Sequence, residues 1–280
     1  MLSGGLRTKG ITKQSQKNQP LLTVVTVVRN GEKTLEETML SVINQTYTNI
    51  EYIIVDGAST DGTLEVIKKY EDKIDYWISE PDKGIYDAMN KGIDLAAGEW
   101  INFMNGGDEF CDYEVIKKIV DEFLLVNNSK KLFYSDFYIR NEYSSSKKNL
   151  YIADYNKGKI LHQSVIYRKE LHIIFGYYIV TDKLIVSDYI FFNSLDKKII
   201  EKIYIPISIN NLDGASSESW CYKQKLCIDY IFGRIPFFYM LMVLCLFLFK
   251  NMSKTLLGKN LTLFIINIKR KIINMFNHTE

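Results

Sequence analysis

The chain predicts an α/β fold: a mostly parallel sheet flanked by helices, then looser α+β elements and apolar C-terminal helices. Three observations carry that expectation. Leu22 to Val28 is an unbroken, β-branched run of buried-strand length. Strand-like runs then alternate with helix-like ones, the pattern of parallel strands covered on both faces. Two of the strands, Tyr52 to Val55 and Trp100 to Met104, run directly into acid and glycine, at Asp56-Gly57 and Asn105-Gly-Gly-Asp108.

The elements follow in order. Residues 1–20 are polar, with lysines and glutamines and no apolar core segment, so they read as a disordered leader and not a secretory signal. The strand Leu22 to Val28 closes at Asn30-Gly31, where Asn30 can cap the next helix. Leu35, Met39, Val42 and Ile43 share one face of that helix at 3.6-residue spacing. Glu51 to Val55 is the second strand; its loop runs to Gly62, and Ser59 or Thr60 can cap the helix holding Leu64 and Ile67. A shorter strand, Ile74 to Ile78, precedes Lys83-Gly84 and a helix with Ile85, Ala88, Met89, Gly92, Ile93 and Ala96 on one face, which Gly98 stops. Trp100 to Met104 is the fourth strand. In such sheets ligands gather beyond the carboxyl ends of the strands, and Asn30, Asp56 and Asp108 lie at three such ends.

Past Phe110 the pattern loosens. Val115, Ile116, Ile119, Val120 and Phe123 predict a helix, Leu132 to Ile139 a strand, and 141–149 a polar turn. Ser164 to Tyr167 predicts a short strand, Leu184 to Leu195 a helix and Ile199 to Ile209 an extended segment. The expected organisation is a leader over 1–20, one domain over 21–218 (a ligand-facing half 21–112 and a second half 113–218), and an apolar, basic region over 219–280. In that region Ile235 to Phe249 is apolar throughout, but shorter than the about twenty residues a spanning helix needs. Lys250, Lys254 and Lys259 follow it, and Leu261 to Ile268 leads into Lys269-Arg270-Lys271. Apolar stretches edged by lysine suit an element lying in, or re-entering, an anionic cytoplasmic leaflet. A buried helix or a homodimer interface is the other reading.

Composition narrows the function classes. With 35 basic and 33 acidic side chains the formal charge is +2, which gives no reason to expect nucleic acid. Cys111, Cys221, Cys227 and Cys245 form no Cys-x-x-Cys pair. Neither a metal cluster nor a disulfide framework is expected, and a reducing compartment fits.

Five segments, taken in order, resemble the family 2 glycosyltransferases. They are Leu22-Thr-Val-Val-Thr-Val-Val-Arg-Asn30, Ser41-Val-Ile-Asn-Gln-Thr46, Glu51-Tyr-Ile-Ile-Val-Asp56-Gly-Ala-Ser-Thr-Asp61-Gly-Thr63, Lys83-Gly-Ile-Tyr-Asp-Ala-Met-Asn90-Lys-Gly92 and Gly98-Glu-Trp-Ile-Asn-Phe-Met-Asn105-Gly-Gly-Asp108. The likeness is strong over about residues 20–112 and weak to about 215, and as an ordered set it is specific. It points to bacterial members that build capsule, exopolysaccharide or O-antigen. The resemblance implies the GT-A fold, a nucleotide-sugar donor expected to be UDP-linked, a Mg²⁺ or Mn²⁺ ion and inversion at the anomeric carbon. It also implies a lipid-linked or growing polysaccharide acceptor at the cytoplasmic face of the cell membrane.

The same resemblance assigns roles. Asp108 stands at the last position of the family's acidic metal motif and would be the main protein ligand of the ion. Asn105 and Gly107 occupy positions that are usually acidic, so one carboxylate remains where two or three are common; Asn105 can still offer a carbonyl oxygen. Hard cations take oxygen ligands and keep waters, so one or two protein carboxylates suffice. Asp56 matches the acid that hydrogen-bonds the donor's base or ribose, whose N–H and O–H groups are donors. Thr26 to Arg29, Val28 included, would form the floor beside the base, with Asn30 also among the nucleotide-sugar-binding residues. Lys83, Gly84, Asp87 and Asn90 would face the donor sugar or diphosphate near a helix start, which favours anions; Asp87 reads equally as a first-turn partner of the helix dipole. Asp188, in Ser187-Asp-Tyr189, is the expected general base, with Asp182 as rival. His162-Gln163 would line the acceptor or pyrophosphate side, and Gly214-Ala-Ser216 resembles a late turn near the donor. Two other classes stay open. A sugar nucleotidyltransferase would need a glycine-rich, Arg/Lys-bearing loop that Val27-Val-Arg-Asn-Gly31 lacks. A non-catalytic nucleotide-sugar-binding relic is suggested by the thinned metal motif and opposed by Asp188.

Overall fold

The computed structural model describes residues 1–126, 129–141, 144–211 and 219–256. The chain divides into two compact units, Met1–Ser217 and Glu218–Glu280. The first holds β1 (Leu2–Gly4), β2 (Leu22–Val28), α1 (Leu35–Ile43), β3 (Ile50–Asp56), α2 (Thr63–Lys69), β4 (Tyr76–Ser79), α3 (Ile85–Leu95), β5 (Trp100–Phe103), β6 (Glu109–Phe110) and α4 (Val115–Ile119). There follow β7 (Leu132–Ser135), β8 (Phe137–Asn141), β9 (Ser144–Tyr151), β10 (Val165–Arg168), α5 (Leu171–Phe175), α6 (Ser187–Ser194), β11 (Ile200–Ile203) and β12 (Ser208–Asn210). The second holds α7 (Ser219–Ile231) and α8 (Phe237–Leu256).

Strands β4, β3, β2 and β5 lie side by side in that order, all parallel. From β2 the chain steps outward to β3 and β4, then crosses back to the other side of β2 for β5. The strand order therefore reverses between β2 and β5, which opens a crevice at their carboxyl ends. β10 and β7 extend the sheet antiparallel, and β11 pairs parallel with β7. A second sheet, β6-β12-β8-β9, begins just after the crevice.

Strand β2 explains why its sequence is apolar at nearly every position. Alternate residues face opposite sides, and both sides are covered. Leu22, Val24 and Val28 join Leu35, Met39 and Val42 of α1 and Val115, Ile116 and Ile119 of α4. Val25 and Val27 join Ala88, Met89 and Ile93 of α3 and Phe191 and Phe192 of α6. The seam between α3 and β2 is tight: a Cβ on Gly92 would lie 2.5 Å from Val25 Cγ1.

Four expectations are corrected. The first twenty residues are a built part of the fold. Leu2, Ser3 and Gly4 pair antiparallel with Ser79, Ile78 and Trp77. Arg7 donates to the Leu95 carbonyl at 2.7 Å and pairs with Glu51, and Lys13 reaches Asp75 at 2.9 Å. Glu51 and Asp75 are buried, so the leader's cations serve buried acids, which its polar composition hid. The described part of 141–149 is strand, the β8–β9 arm, exposed at Lys148 and Asn149. The single strands expected over 132–139 and 199–209 are each split in two, into β7 and β8 and into β11 and β12. Asn30 does not cap α1: it adopts φ +53° and its Oδ1 accepts from Thr60 N at 2.9 Å, stitching the β2 and β3 loops together.

In the second unit the Tyr222 and Phe247 rings lie 5.4 Å apart and those of Tyr230 and Phe237 5.5 Å apart, so α7 and α8 run antiparallel. Among the described residues no helix is long and apolar enough to cross a membrane. Gly214 to Ser216, Leu261 to Ile268 and Lys269 to Lys271 lie outside the described residues.

Candidate active site

The crevice is closed by the loop that follows β5. Met104 N and Gly106 N bond the carbonyls of Val25 and Val27, which continue the β2 ladder past the end of the strand. Gly106 passes over Val28, where a Cβ would stand 3.0 Å from Val28 Cγ2, and Gly107 turns at φ +102°, a value costly for any side chain. Gly107 N is caught by Thr38 Oγ1 of α1 at 2.8 Å. The loop thereby delivers Asp108, whose Oδ2 accepts from Gln163 Nε2 at 2.6 Å and whose Oδ1 accepts from Asn211 N at 3.0 Å. Strand β12 pairs with β6 and so returns Asn211 to this corner. Burial lifts the Asp108 carboxyl above the usual carboxylate range, while the Asn211 and Gln163 N–H groups pull it part of the way back.

A second carboxylate stands across from it. Asp188 lies in the first turn of α6, whose N-cap is Val186, so Asp188 is not the cap itself. Its Oδ1 accepts from Tyr86 Oη of α3 at 2.6 Å, and its Oδ2 lies 2.9 Å from His162 Nδ1. On the far side of the ring, His162 Nε2 lies 2.8 Å from Asn105 Nδ2. Burial, and then the Asp188 charge, push the Tyr86 phenol far above its ordinary value, so Tyr86 stays a donor. Adjacent residues thus bridge the site: His162 holds Asp188, and Gln163 holds Asp108. The rival Asp182 is exposed.

The other expected site residues divide. Thr26 is wholly buried, with its hydroxyl bonded to the Met104 carbonyl at 2.8 Å, and Val28 packs in the core. Both brace the crevice from within, because β2 is covered on both faces. Asp56 ends β3 buried, accepting from Ser79 Oγ at 2.6 Å, from Ser59 N at 3.1 Å and from the Ser59 hydroxyl. That leaves about one of a carboxylate's four acceptor positions. Asp87 Oδ2 accepts from Lys83 N at 3.0 Å, so it caps its own helix; Gly84 turns at φ +111° to start it, and Lys83 is exposed. Asn90 is spent on Tyr178, donating to its carbonyl at 2.9 Å and accepting from its N–H at 3.0 Å. It clamps the α5–α6 loop. Tyr86, Thr38 and Asn211 were not singled out from sequence. Thr38 carried a signal, since a polar residue on the apolar face of α1 needs a buried partner.

Among the described residues no group of three or more His, Cys, Asp or Glu gathers to hold a metal. The donor set of the corner is nonetheless oxygen-rich. Beside Asp108, the carbonyl oxygens Asn105 Oδ1 and Gln163 Oε1 are buried without hydrogen-bond partners. One carboxylate and two neutral oxygens suit a hard divalent cation that keeps water and phosphate ligands.

Comparisons with known proteins bear on the family and the fold. Residues 23–202 match the model of the family described as Glycosyl transferase family 2. Over 103 residues the chain is 38% identical to an uncharacterised glycosyltransferase of Mycobacterium tuberculosis, covering 36% of this chain and 39% of that protein. Over 166 residues it is 28% identical to a PGL/p-HBAD biosynthesis glycosyltransferase of Mycobacterium bovis, covering 57% and 63%. The chain therefore spans less than two thirds of the length of these curated relatives. Among solved structures it resembles S. aureus TarS 1–349 in complex with UDP-GlcNAc, with a TM-score of 0.58 at 17% identity over 76% of this chain and 65% of that one. It also resembles the mannosyltransferase PcManGT of Pyrobaculum calidifontis in complex with GDP-Man and Mn²⁺, with a TM-score of 0.60 at 15% identity over 80% and 67%. With its parallel sheet, its switch-point crevice and the matched span, the chain belongs to glycosyl transferase family 2 and has the GT-A fold.

Proposed function

We propose that the protein is an inverting, metal-dependent glycosyltransferase that moves one sugar from a nucleotide donor to a lipid-linked or growing glycan at the cytoplasmic membrane face. One observation carries the reading: the adjacent residues His162 and Gln163 tie the candidate base Asp188 and the candidate metal ligand Asp108 into one site. A UDP-linked donor is favoured, and the complexes of TarS with UDP-GlcNAc and of PcManGT with GDP-Man and Mn²⁺ support a nucleotide-sugar ligand for this fold.

In the reaction an acceptor hydroxyl oxygen forms a bond to the anomeric carbon from the face opposite the leaving group. Asp188 takes the hydroxyl proton. The bond from that carbon to phosphate oxygen breaks, and its electron pair leaves with the nucleoside diphosphate. Mg²⁺ or Mn²⁺ held by Asp108 with Asn105 and Gln163 oxygens would supply Lewis-acid stabilisation of the leaving charge. Asp56 would accept from the nucleoside. The α7–α8 turn, where Ile231 and Phe238 are exposed, and the following lysines would meet an anionic leaflet.

Asp188→Asn tests the chemistry: transfer from a UDP-sugar should fall by about 10²–10⁴-fold, with donor binding kept. Undiminished transfer would sink the base assignment, and donor binding without transfer by the wild type would favour a binding relic. Deleting residues 235–280 should release the protein from membranes; a full-length chain already free of them removes the membrane claim.

A further inference from the structure

We propose that Asn102 is a positioning residue for the transfer reaction: its side-chain amide grips the peptide carbonyls of Gln163 and Val165, and so fixes the turn whose side chains hold Asp188 and Asp108. The proposal rests on the transferase reading above.

Asn102 stands in the middle of β5, opposite Val24 of β2 and wholly buried. Alternation puts it on the same face as Trp100 and Met104, which belong to the apolar core. A polar side chain there needs buried partners. Its Nδ2 lies 3.1 Å from the Gln163 carbonyl oxygen and 2.9 Å from that of Val165. Carbonyls only accept, so the nitrogen has to face them, and both of its hydrogens are used. No protonation state enters the assignment. The two carbonyls flank a joint: Gln163 belongs to the single helical turn His162–Ser164, and Val165 begins β10. Strand β10 is held without Asn102, since Val165 to Tyr167 pair with β7 and Tyr167 and Arg168 with β5. What the amide sets is the angle of the turn against the strand. From the other side Ser164 Oγ meets Ser208 Oγ of β12 at 2.5 Å. The turn is thus gripped between β5 and β12, and it carries His162 to Asp188 and Gln163 to Asp108. Rocking at the joint would move both contacts together, so Asn102 acts on the two carboxylates through the turn. Its Oδ1 stays buried without a partner, a cost that a side chain serving only the strand need not bring.

Asn102→Leu, which keeps the branched shape and removes both N–H donors, tests this. With Mn²⁺ present, kcat should fall by about tenfold or more and UDP binding should weaken by about tenfold, in protein shown to be folded by its urea midpoint. Asn102→Ser, which keeps one donor, should lose less, and it carries the test if the leucine variant does not fold. A double-mutant cycle separates positioning from general weakening: the kcat loss should shrink in a His162→Ala background, and the binding loss in a Gln163→Ala background. Losses that add in full, or a folded Asn102→Leu with the kcat of the wild type, overturn the proposal. In the wild type without ligand, both Asn102 amide protons should exchange slowly with solvent and show NMR couplings to the carbonyl carbons of Gln163 and Val165; rapid exchange overturns it as well. Because that readout needs no donor, a wild type that binds no nucleoside diphosphate refutes the transferase reading and leaves the grip on the turn standing.

Discussion

Gln163 donates its side-chain amide to Asp108 Oδ2 at 2.6 Å, and that contact closes a buried carboxylate into a corner that holds no cationic partner among the ion pairs of the described residues. The consequence is a charge that the folded protein accommodates at a cost. Asp108 titrates above its unfolded value, so between the two values the native state binds more protons than the unfolded one. Stability contributed by the group is present in acid and is lost as pH rises through that window. Asp108→Asn should therefore be more stable than the wild type at pH 7 without metal, with the gap closing as pH falls below about 4. The new amide can donate to Gln163 Oε1, which has no partner now. Urea titrations at the two pH values measure the gap, and the same variant should lose any Mn²⁺-dependent stabilisation by UDP.

Tyr86 offers a second test. Its hydroxyl donates to Asp188 Oδ1, which favours the ionised carboxylate. Tyr86→Phe keeps the ring that packs 5.6 Å from Tyr178 but removes the donor. A hydrogen bond to a charged group is worth about 1.5 kcal/mol or more, which corresponds to roughly tenfold in rate. The acid limb of kcat/KM should move to higher pH, because the base is then protonated more readily. A pH–rate profile that shifts in the other direction would contradict the placement.

His172 predicts acid lability. It is buried against Phe191, with ring centroids 4.3 Å apart, and lies between Tyr167 Oη at 2.8 Å and the Gly176 carbonyl at 3.1 Å. Burial drops the imidazole to about 4. The unfolded chain then binds more protons between about 4 and 6.5, so stability rises with pH across that window and is lost on acidification. The loss should approach about 3 kcal/mol at the acid end. Denaturation midpoints should fall more steeply on going from pH 7 to pH 4 for the wild type than for His172→Gln.

Gly92→Ala probes the α3–β2 seam. The added methyl would meet Val25 Cγ1, a branched side chain in the centre of the sheet with no room to turn. Overpacking of this kind costs about 1–3 kcal/mol. A calorimetric Tm that drops by several degrees is the expected outcome.

The α/β core was legible because its signals are local. The apolar run of β2, the apolar face of α3 and the acidic strand ends at Asp56 and Asp108 each record a constraint that acts within a few residues, whereas α3 stops at Leu95 with Ala96 as its C-cap and not at Gly98. The pairing of Asp188 with Tyr86 spans 102 positions, and that of Asp108 with Asn211 spans 103. No periodicity encodes such contacts. The bonding partners of Thr26 and Asn90 were hidden for a related reason. Both side chains were judged by their nearness to a motif, while their bonds go to the Met104 and Tyr178 backbones on other elements. The N-terminal segment was misread because composition reports an average: its polar residues look solvated until the acids they neutralise are located in β3 and just ahead of β4.

Strand β3 carries an acid at each end, and the two ends have opposite electrostatic fates. At its start Glu51 is neutralised within the chain by Arg7, with Thr23 and Ala97 completing its bonds at 2.6 and 2.7 Å. At its finish Asp56 meets only neutral donors, Ser59 and Ser79. The two rims of the sheet thus differ: an ion pair closes one, and a buried acid held by neutral donors stands at the other. A chain trimmed past Arg7 would strand Glu51 as an uncompensated buried anion, at a cost of about 3–5 kcal/mol. The N-terminal segment therefore secures the acid at the start of β3 by charge, while the acid at its end is held by serine hydroxyls and an N–H.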